Sequence, residues 1–206
     1  MSSVPRTLLV SLLVVAGGVA VLAVATSGFR AFTSETARRI DVRERPRPLP
    51  PVPLQAADGR MTDFASLRGR WLLVDFIYTR CATSCSLQGS EFARMQDRLA
   101  RPIAAGQVSL VSVSFDPAHD GPQQLAAYQR RSGDRGAGWL AVRPVDAAGL
   151  DALMRVFGVT AIPDGLGGYV HNAAIAVVDP RGRLVAITNW DAPREAERYV
   201  LRGLEP

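Results

Sequence analysis

The chain has no lysine, and only two cysteines and two histidines among its 206 residues. Without lysine, all 24 basic side chains are arginine, set against 19 acidic residues. This bias reads as a habit of composition rather than a nucleic-acid signature. The positive charge is also unevenly placed. Residues 1–50 carry seven arginines against Glu35, Asp41 and Glu44, while the remainder is close to neutral. A basic stretch beside an apolar one fits anionic lipid headgroups or a solvated tether, and no nucleic-acid partner is expected. With only four such residues, and one histidine (His119) reading as a surface residue, none is left to close a four-ligand zinc site. There are no internal repeats.

Long apolar runs are confined to one place. Leu8 to Ala25 is interrupted only by Ser11 and two glycines. Eighteen helical residues span ~27 Å, near the ~30 Å of a bilayer core. The run is longer than the core of a cleaved signal, and reads as an uncleaved signal anchor. Ala23-Val24-Ala25 keeps open the alternative of a small-residue cleavage site. Either way the rest of the chain is carried across a membrane. Arg45-Pro46-Arg47-Pro48-Leu49-Pro50-Pro51-Val52-Pro53 is expected to be extended and stiff, a spacer between membrane and domain. The expected organisation is residues 1–28 as anchor, 29–53 as an Arg/Pro-rich linker and 54–206 as one folded domain.

Within that domain, Trp71 to Tyr78 is apolar at nearly every position, as in a strand buried on both faces. Phe92, Met95, Leu99 and Ile103 fall at helical spacing after Cys85, with Pro102 expected to end the helix. Val108 to Phe115 is a second strand. Asp120-Gly121-Pro122 is expected to start a helix, and Trp139 to Val142 is a candidate third strand. Asp146 and Gly158 bracket another helix. Ala173 to Val178 and Arg183 to Thr188 flank Asp179-Pro180-Arg181-Gly182, a hairpin signal. Asp191 is expected to cap the last helix. This order predicts an α/β fold, a thioredoxin-like central mixed sheet with helices on both faces.

Cys81 and Cys85 follow the first strand and open the first helix. Unpaired backbone N–H groups and the helix dipole favour thiolate there, and Arg80 can add to the effect. A structural disulfide across so short a loop would constrain little of the unfolded chain. The pair therefore reads as functional, in disulfide exchange or in binding a thiophilic metal. A histidine before a strand is ordinarily a hydrogen-bonded surface residue. His171 differs in following Pro163 to Val170, a glycine-rich stretch expected to be a flexible loop, and in preceding a strand expected beside the cysteine strand. Two thiolates and one imidazole suit copper. His119 reads as a surface residue, Asp116 and Asp120 as turn and cap residues, and Met95 and Met154 as core. Met61 is left as a possible soft ligand.

Three stretches resemble the SCO/SenC family: Asp75-Phe76-Ile77-Tyr78-Thr79-Arg80-Cys81 through Cys85, Ser114-Phe115-Asp116-Pro117-Ala118-His119-Asp120, and His171 before Val177-Val178-Asp179-Pro180-Arg181-Gly182. The resemblance runs in order over residues 50–190. It implies a membrane-anchored thioredoxin-like domain that binds copper, as Cu(I) or Cu(II), through Cys81, Cys85 and His171. It implies supporting roles for Asp116 and Asp120. It further implies assembly of the binuclear copper (CuA) centre of cytochrome c oxidase. The expected partners are the oxidase subunit bearing that centre, a copper donor and a thiol reductant. The expected location is the inner membrane, single-pass, with the domain on the periplasmic side. Ala82 and Ser86 stand where the family often has proline, and Val170 where it commonly has aspartate.

The competing reading is a thiol–disulfide oxidoreductase of the TlpA/ResA type, with Cys81 and Cys85 catalytic. Gly158 to Pro163 resembles the cis-proline segment of thioredoxins, although about ten residues separate Pro163 from the next expected strand. A third reading is an anchored partner-binding domain in which neither cysteine matters.

Overall fold

The computed structural model describes residues 4–26, 28–81 and 84–205, with the side chains of 4, 5 and 84–87 left undescribed. Ala82 and the side chains of Cys85 and Ser86 thus lie outside the described residues. The chain divides into two compact units, residues 1–44 and 45–206.

The first unit holds α1 (Val4–Ala25) and α2 (Ser34–Glu44). Arg6–Ala25 is long and apolar enough to cross a bilayer, and its twenty residues rise ~30 Å. Helix α2 lies within residues 29–53, which the sequence marks as linker. It forms because Thr33 accepts the backbone N–H of Thr36 at 3.1 Å, and Glu35 then pairs with Arg38 at 2.7 Å and Arg39 at 2.9 Å.

The second unit contains β1 (Arg47–Pro48), β2 (Leu54–Ala56), β3 (Met61–Thr62), β4 (Trp71–Ile77), α3 (Ser84–Arg98), α4 (Ala100–Ala104), β5 (Val108–Ser114), α5 (Pro122–Ser132) and β6 (Trp139–Pro144). It continues with α6 (Ala147–Phe157), β7 (Ala161–Pro163), β8 (Tyr169–His171), β9 (Ala174–Val178), β10 (Arg183–Asn189) and α7 (Pro193–Leu204). Eight strands form one sheet in the order β1-β10-β9-β4-β5-β6-β2-β3. Strands β4, β5 and β6 are parallel, while β9 runs antiparallel to β4 and β10 antiparallel to β9. The proline-rich stretch is not a free spacer, since Arg47–Pro48 pairs with β10 and Val52 is buried.

The apolar run of β4 is buried on both faces, as its composition requires. Leu73 and Ile77 share a core with Phe92 and Met95 of α3, Leu99 just beyond it and Val200 of α7. On the other face Phe76 and Phe64 pack against Phe157 of α6, with ring centroids 5.1 and 6.1 Å apart. Asp146 caps α6 by accepting the Gly149 N–H at 2.7 Å, and Gly158 closes it in the left-handed conformation. Other expected boundaries shift. Pro102 lies inside α4, because Leu99 already breaks the helix. Asp191 is not the cap of α7, whose first position follows Ala192 with no side-chain cap.

Asp75 sits fully buried in the middle of β4. Burial pushes its carboxyl up to about 7; Ser112 and Gln88 lie near enough to oppose this weakly, but neither carboxyl oxygen is met by a well-aligned hydrogen bond. The folded state therefore keeps a proton that the unfolded chain releases near 3.8. Stability contributed by this group is complete below about pH 4 and declines as pH rises towards 7, by on the order of 4 kcal/mol. Urea midpoints should fall for the native chain between pH 5 and pH 8, and Asp75→Asn should flatten that fall. Parallel pH profiles would refute the account.

Candidate metal centre

Strands β4 and β5 pair in register to their last residues, Ile77 opposite Ser114. The segments that follow are thereby brought side by side at the carboxyl end of the sheet. Residues 78–81 lead into the cysteine helix, and residues 115–120 lie beside them. Asp120 accepts the Thr79 N–H at 3.0 Å, the Thr79 hydroxyl at 2.6 Å and the Ser114 hydroxyl at 2.6 Å. Asp116 accepts from Arg80 at 2.7 Å and from His119 Nδ1 at 2.8 Å. Burial tends to raise the Asp116 carboxyl, but His119 and Arg80 together hold it below the usual range. Both aspartates are buried. Their sequence reading as turn and cap residues was too modest: α5 begins after Gly121 with no side-chain cap, so Asp120 serves the cysteine loop instead. Arg80 is committed to Asp116 in this geometry.

His171 arrives from the other side on the β7–β8 hairpin. The expected flexible loop is largely ordered by one residue. Asp164 accepts the N–H groups of Leu166 at 2.8 Å and Gly168 at 2.9 Å, and its own N–H reaches the Gly168 carbonyl. The register pairs Ala161 with His171, Ile162 with Val170 and Pro163 with Tyr169. Tyr169 and His171 thus share a face. They pack on Tyr78 and Phe115, with Tyr169 centroids 5.2 and 5.4 Å away and His171 centroids 6.4 and 5.1 Å away. Tyr78 lies three residues before Cys81 and accepts the Cys81 N–H through its carbonyl at 3.3 Å. The histidine is therefore brought to the strand end from which the cysteine loop departs. There is no cis peptide among the described residues, so Ile162–Pro163 is trans, and it leads into this hairpin.

The imidazole is held in one tautomer. Burial lowers its pKa below 6.5, opposed by a hydrogen bond to the Phe76 carbonyl, so the ring is neutral at neutral pH. Nε2 is buried with no hydrogen-bond partner, so the nitrogen that meets Phe76 is Nδ1. A neutral imidazole carries one N–H. The proton lies on Nδ1 and the lone pair on Nε2, held by a second partner as in metal-bound histidines.

Cys81 is half-buried and lines a cavity of about 60 Å³ with Thr79, Ser90, Tyr128, Arg131 and Ser132. Arg131 donates to the Thr79 carbonyl at 3.3 Å. Cys85 enters the first turn of α3, four residues on. Among the described residues no three His, Cys, Asp or Glu side chains converge as a metal site, and the Cys85 thiol is outside that set. A larger groove of about 430 Å³, lined in part by Asp58, Arg130 and Trp139, holds neither cysteine nor histidine. Met61 is an exposed edge-strand residue on β3, and Met95 is core, so neither adds a ligand here.

The family model described as SCO1/SenC matches residues 43–202. The SCO1 protein homolog of Bacillus subtilis is 26% identical over 137 residues, 66% of this chain and 70% of that protein. Copper-bound ScoI of Bradyrhizobium japonicum superposes with a TM-score of 0.62 at 25% identity, covering 74% of this chain and 97% of ScoI. BsSco, a member of the Sco family of cytochrome c oxidase assembly proteins, superposes with a TM-score of 0.62 at 22% identity, covering 75% and 94% of the two chains.

Replacing Asp120 by alanine removes a buried acceptor from three donors, among them the Thr79 N–H. The expected loss of stability is about 2–4 kcal/mol, as for charge-assisted hydrogen bonds whose partners stay buried. Denaturant melts of Asp120→Ala and Asp116→Ala measure this. A variant of Asp120 as stable as the native chain would show that the carboxylate does not anchor the loop.

Proposed function

The chain belongs to the SCO1/SenC family, and from that premise we propose that it is a membrane-anchored copper carrier. It binds copper through the Cys81 and Cys85 thiolates and His171 Nε2. It delivers the ion to the CuA centre of cytochrome c oxidase, or prepares the thiols of that centre. The apolar helix α1 anchors it in the inner membrane with the domain on the periplasmic side. The observation that carries this reading is the buried, unpartnered Nε2 of His171. A buried polar atom without a partner is costly, and burial is tolerable where a ligand completes it. Thiol exchange has no use for this imidazole.

The three donors divide the chemistry. Thiolates select soft ions, and imidazole extends the set to Cu(II). Binding requires both thiols to lose their protons, which the first turn of α3 favours through its unpaired N–H groups. His171 loses none, because its Nε2 is already bare. A disulfide between Cys81 and Cys85 would offer no thiolate, so loading requires the reduced pair and a thiol reductant on the oxidising side of the membrane. Loss of proline at Ala82 and Ser86 leaves the ligand set unchanged. Val170 faces away from the His171 face of the hairpin, so an acid there is not needed to hold the ring; the Phe76 carbonyl does so.

Titration of the reduced chain with copper tests this. One copper should bind per chain. Either cysteine variant should nearly abolish binding, and His171→Ala should weaken Cu(II) by about 10–100-fold while affecting Cu(I) less. Equal Cu(II) affinity in native and His171→Ala protein would remove the three-ligand site. In cells lacking the gene, a copper carrier restores oxidase activity in a His171-dependent way, and added copper partly replaces it. A reductase depends on both cysteines, ignores His171→Ala, and is replaced by added thiol.

A further inference from the structure

Both histidines of the chain come to the same end of the sheet, and the three-ligand reading uses only one. His119 lies on the loop after β5, four residues beyond Phe115, whose ring packs against His171. Its side chain is about half exposed. Nδ1 stands 2.8 Å from Asp116 Oδ1, which can only accept while ionised, so Nδ1 carries a proton, the only one when the ring is neutral. The nearby Arg80 nitrogen, 3.3 Å from Nδ1, is itself a donor and adds no hydrogen bond in that tautomer. It points its charge at the other oxygen of the same carboxylate, 2.7 Å away. The lone pair of His119 is therefore on Nε2, on an exposed ring oriented by a buried carboxylate. This is the arrangement by which a histidine is readied for a metal.

One further observation ties this imidazole to the cysteine corner. Arg80 precedes Cys81 in the chain, and Asp116 bridges it to His119, so the ring is carried on the loop that is clamped to the cysteine loop.

We propose, resting on the copper-carrier reading, that His119 Nε2 is an entry ligand. It captures copper at the surface and passes it to the Cys81, Cys85 and His171 set. The transfer is a ligand exchange without change of oxidation state: the Cu–Nε2 bond of His119 breaks as Cu–thiolate bonds form and the thiols release their protons. His119 is absent from the final site, so it acts on the rate of loading rather than on affinity.

The test is rapid mixing of the reduced, detergent-solubilised full chain with limiting Cu(II) sulfate, followed through the thiolate-to-Cu(II) charge-transfer band. His119→Gln and His119→Ala should load about tenfold more slowly than the native chain, while final band intensity and Cu(II) affinity stay within about twofold. Both variants alter an exposed side chain, and matching thermal melts establish that they are folded. Native loading rates in both variants overturn the proposal. Affinity falling by the same factor as the rate also overturns it, because His119 would then belong to the final site. If the native chain binds no copper, or His171→Ala binds Cu(II) as tightly as native, the copper reading itself fails and the entry ligand falls with it. Slow loading in the His119 variants, with His171→Ala weak at equilibrium, separates the two roles.

Discussion

Asp120 ties the cysteine loop to the sheet, and the rest of the site depends on that tie. The chain must leave β4 in a fixed direction for Cys81, and then the first turn of α3 that holds Cys85, to follow from the strand end. The buried carboxylate achieves this by taking the N–H and hydroxyl of Thr79 while being held itself by Ser114. Ser114 in turn accepts the Asp116 N–H at 3.0 Å, so the two aspartates share one support. Parallel pairing of β4 with β5 makes the arrangement possible. In a parallel pair both chains end on the same side, so two successive loops can be joined by side chains. Ligand sites in open α/β sheets collect at such carboxyl ends for this reason.

Rigidity is graded across the site. The cysteine loop is clamped by charge-assisted hydrogen bonds, whereas His171 is positioned by aromatic packing and one carbonyl. Ring contacts with Tyr78 and Phe115 confine the imidazole without spending Nε2. Nε2 thus keeps its lone pair, with no hydrogen-bond partner among the described residues.

Much of this was legible in the sequence. The central strands, the cysteine corner, the capped helix at Asp146 and the hairpin at Asp179 all carry local signals: apolar runs, turn residues and caps. The scarcity of soft donors is what draws Cys81 and His171 into one proposed site. What escaped was non-local or of very short range. Strands β1, β2, β3, β7 and β8 have two or three residues each, too few for an alternation to register. Asp116 and Asp120 look like ordinary turn residues, since Asp-Pro and Asp-Gly mark turns wherever they occur. Only the pairing of β4 with β5 reveals that their carboxylates turn inwards to the neighbouring loop. The ordered turn at Asp164 was hidden by the glycines around it, which advertise freedom; one aspartate bonded to two N–H groups removes it. His119 was set aside as surface, correctly as to exposure, but its carboxylate partner three residues earlier was a visible signal.

The β7–β8 hairpin makes the proposed copper ligand, His171, a matter of parity. Its strands have three residues each, and neighbouring side chains point to opposite faces. Tyr169 and His171 occupy one parity; Val170, 67% exposed, and its partner Ile162, 59% exposed, occupy the other. A single-residue insertion or deletion between Asp164 and Tyr169 would exchange the two sets. Valine would then face the cysteine corner and the imidazole would face water, with every residue type preserved and the hairpin still paired. The length of four residues between the turn aspartate and the tyrosine is thus as much a part of the proposed ligand set as the histidine itself.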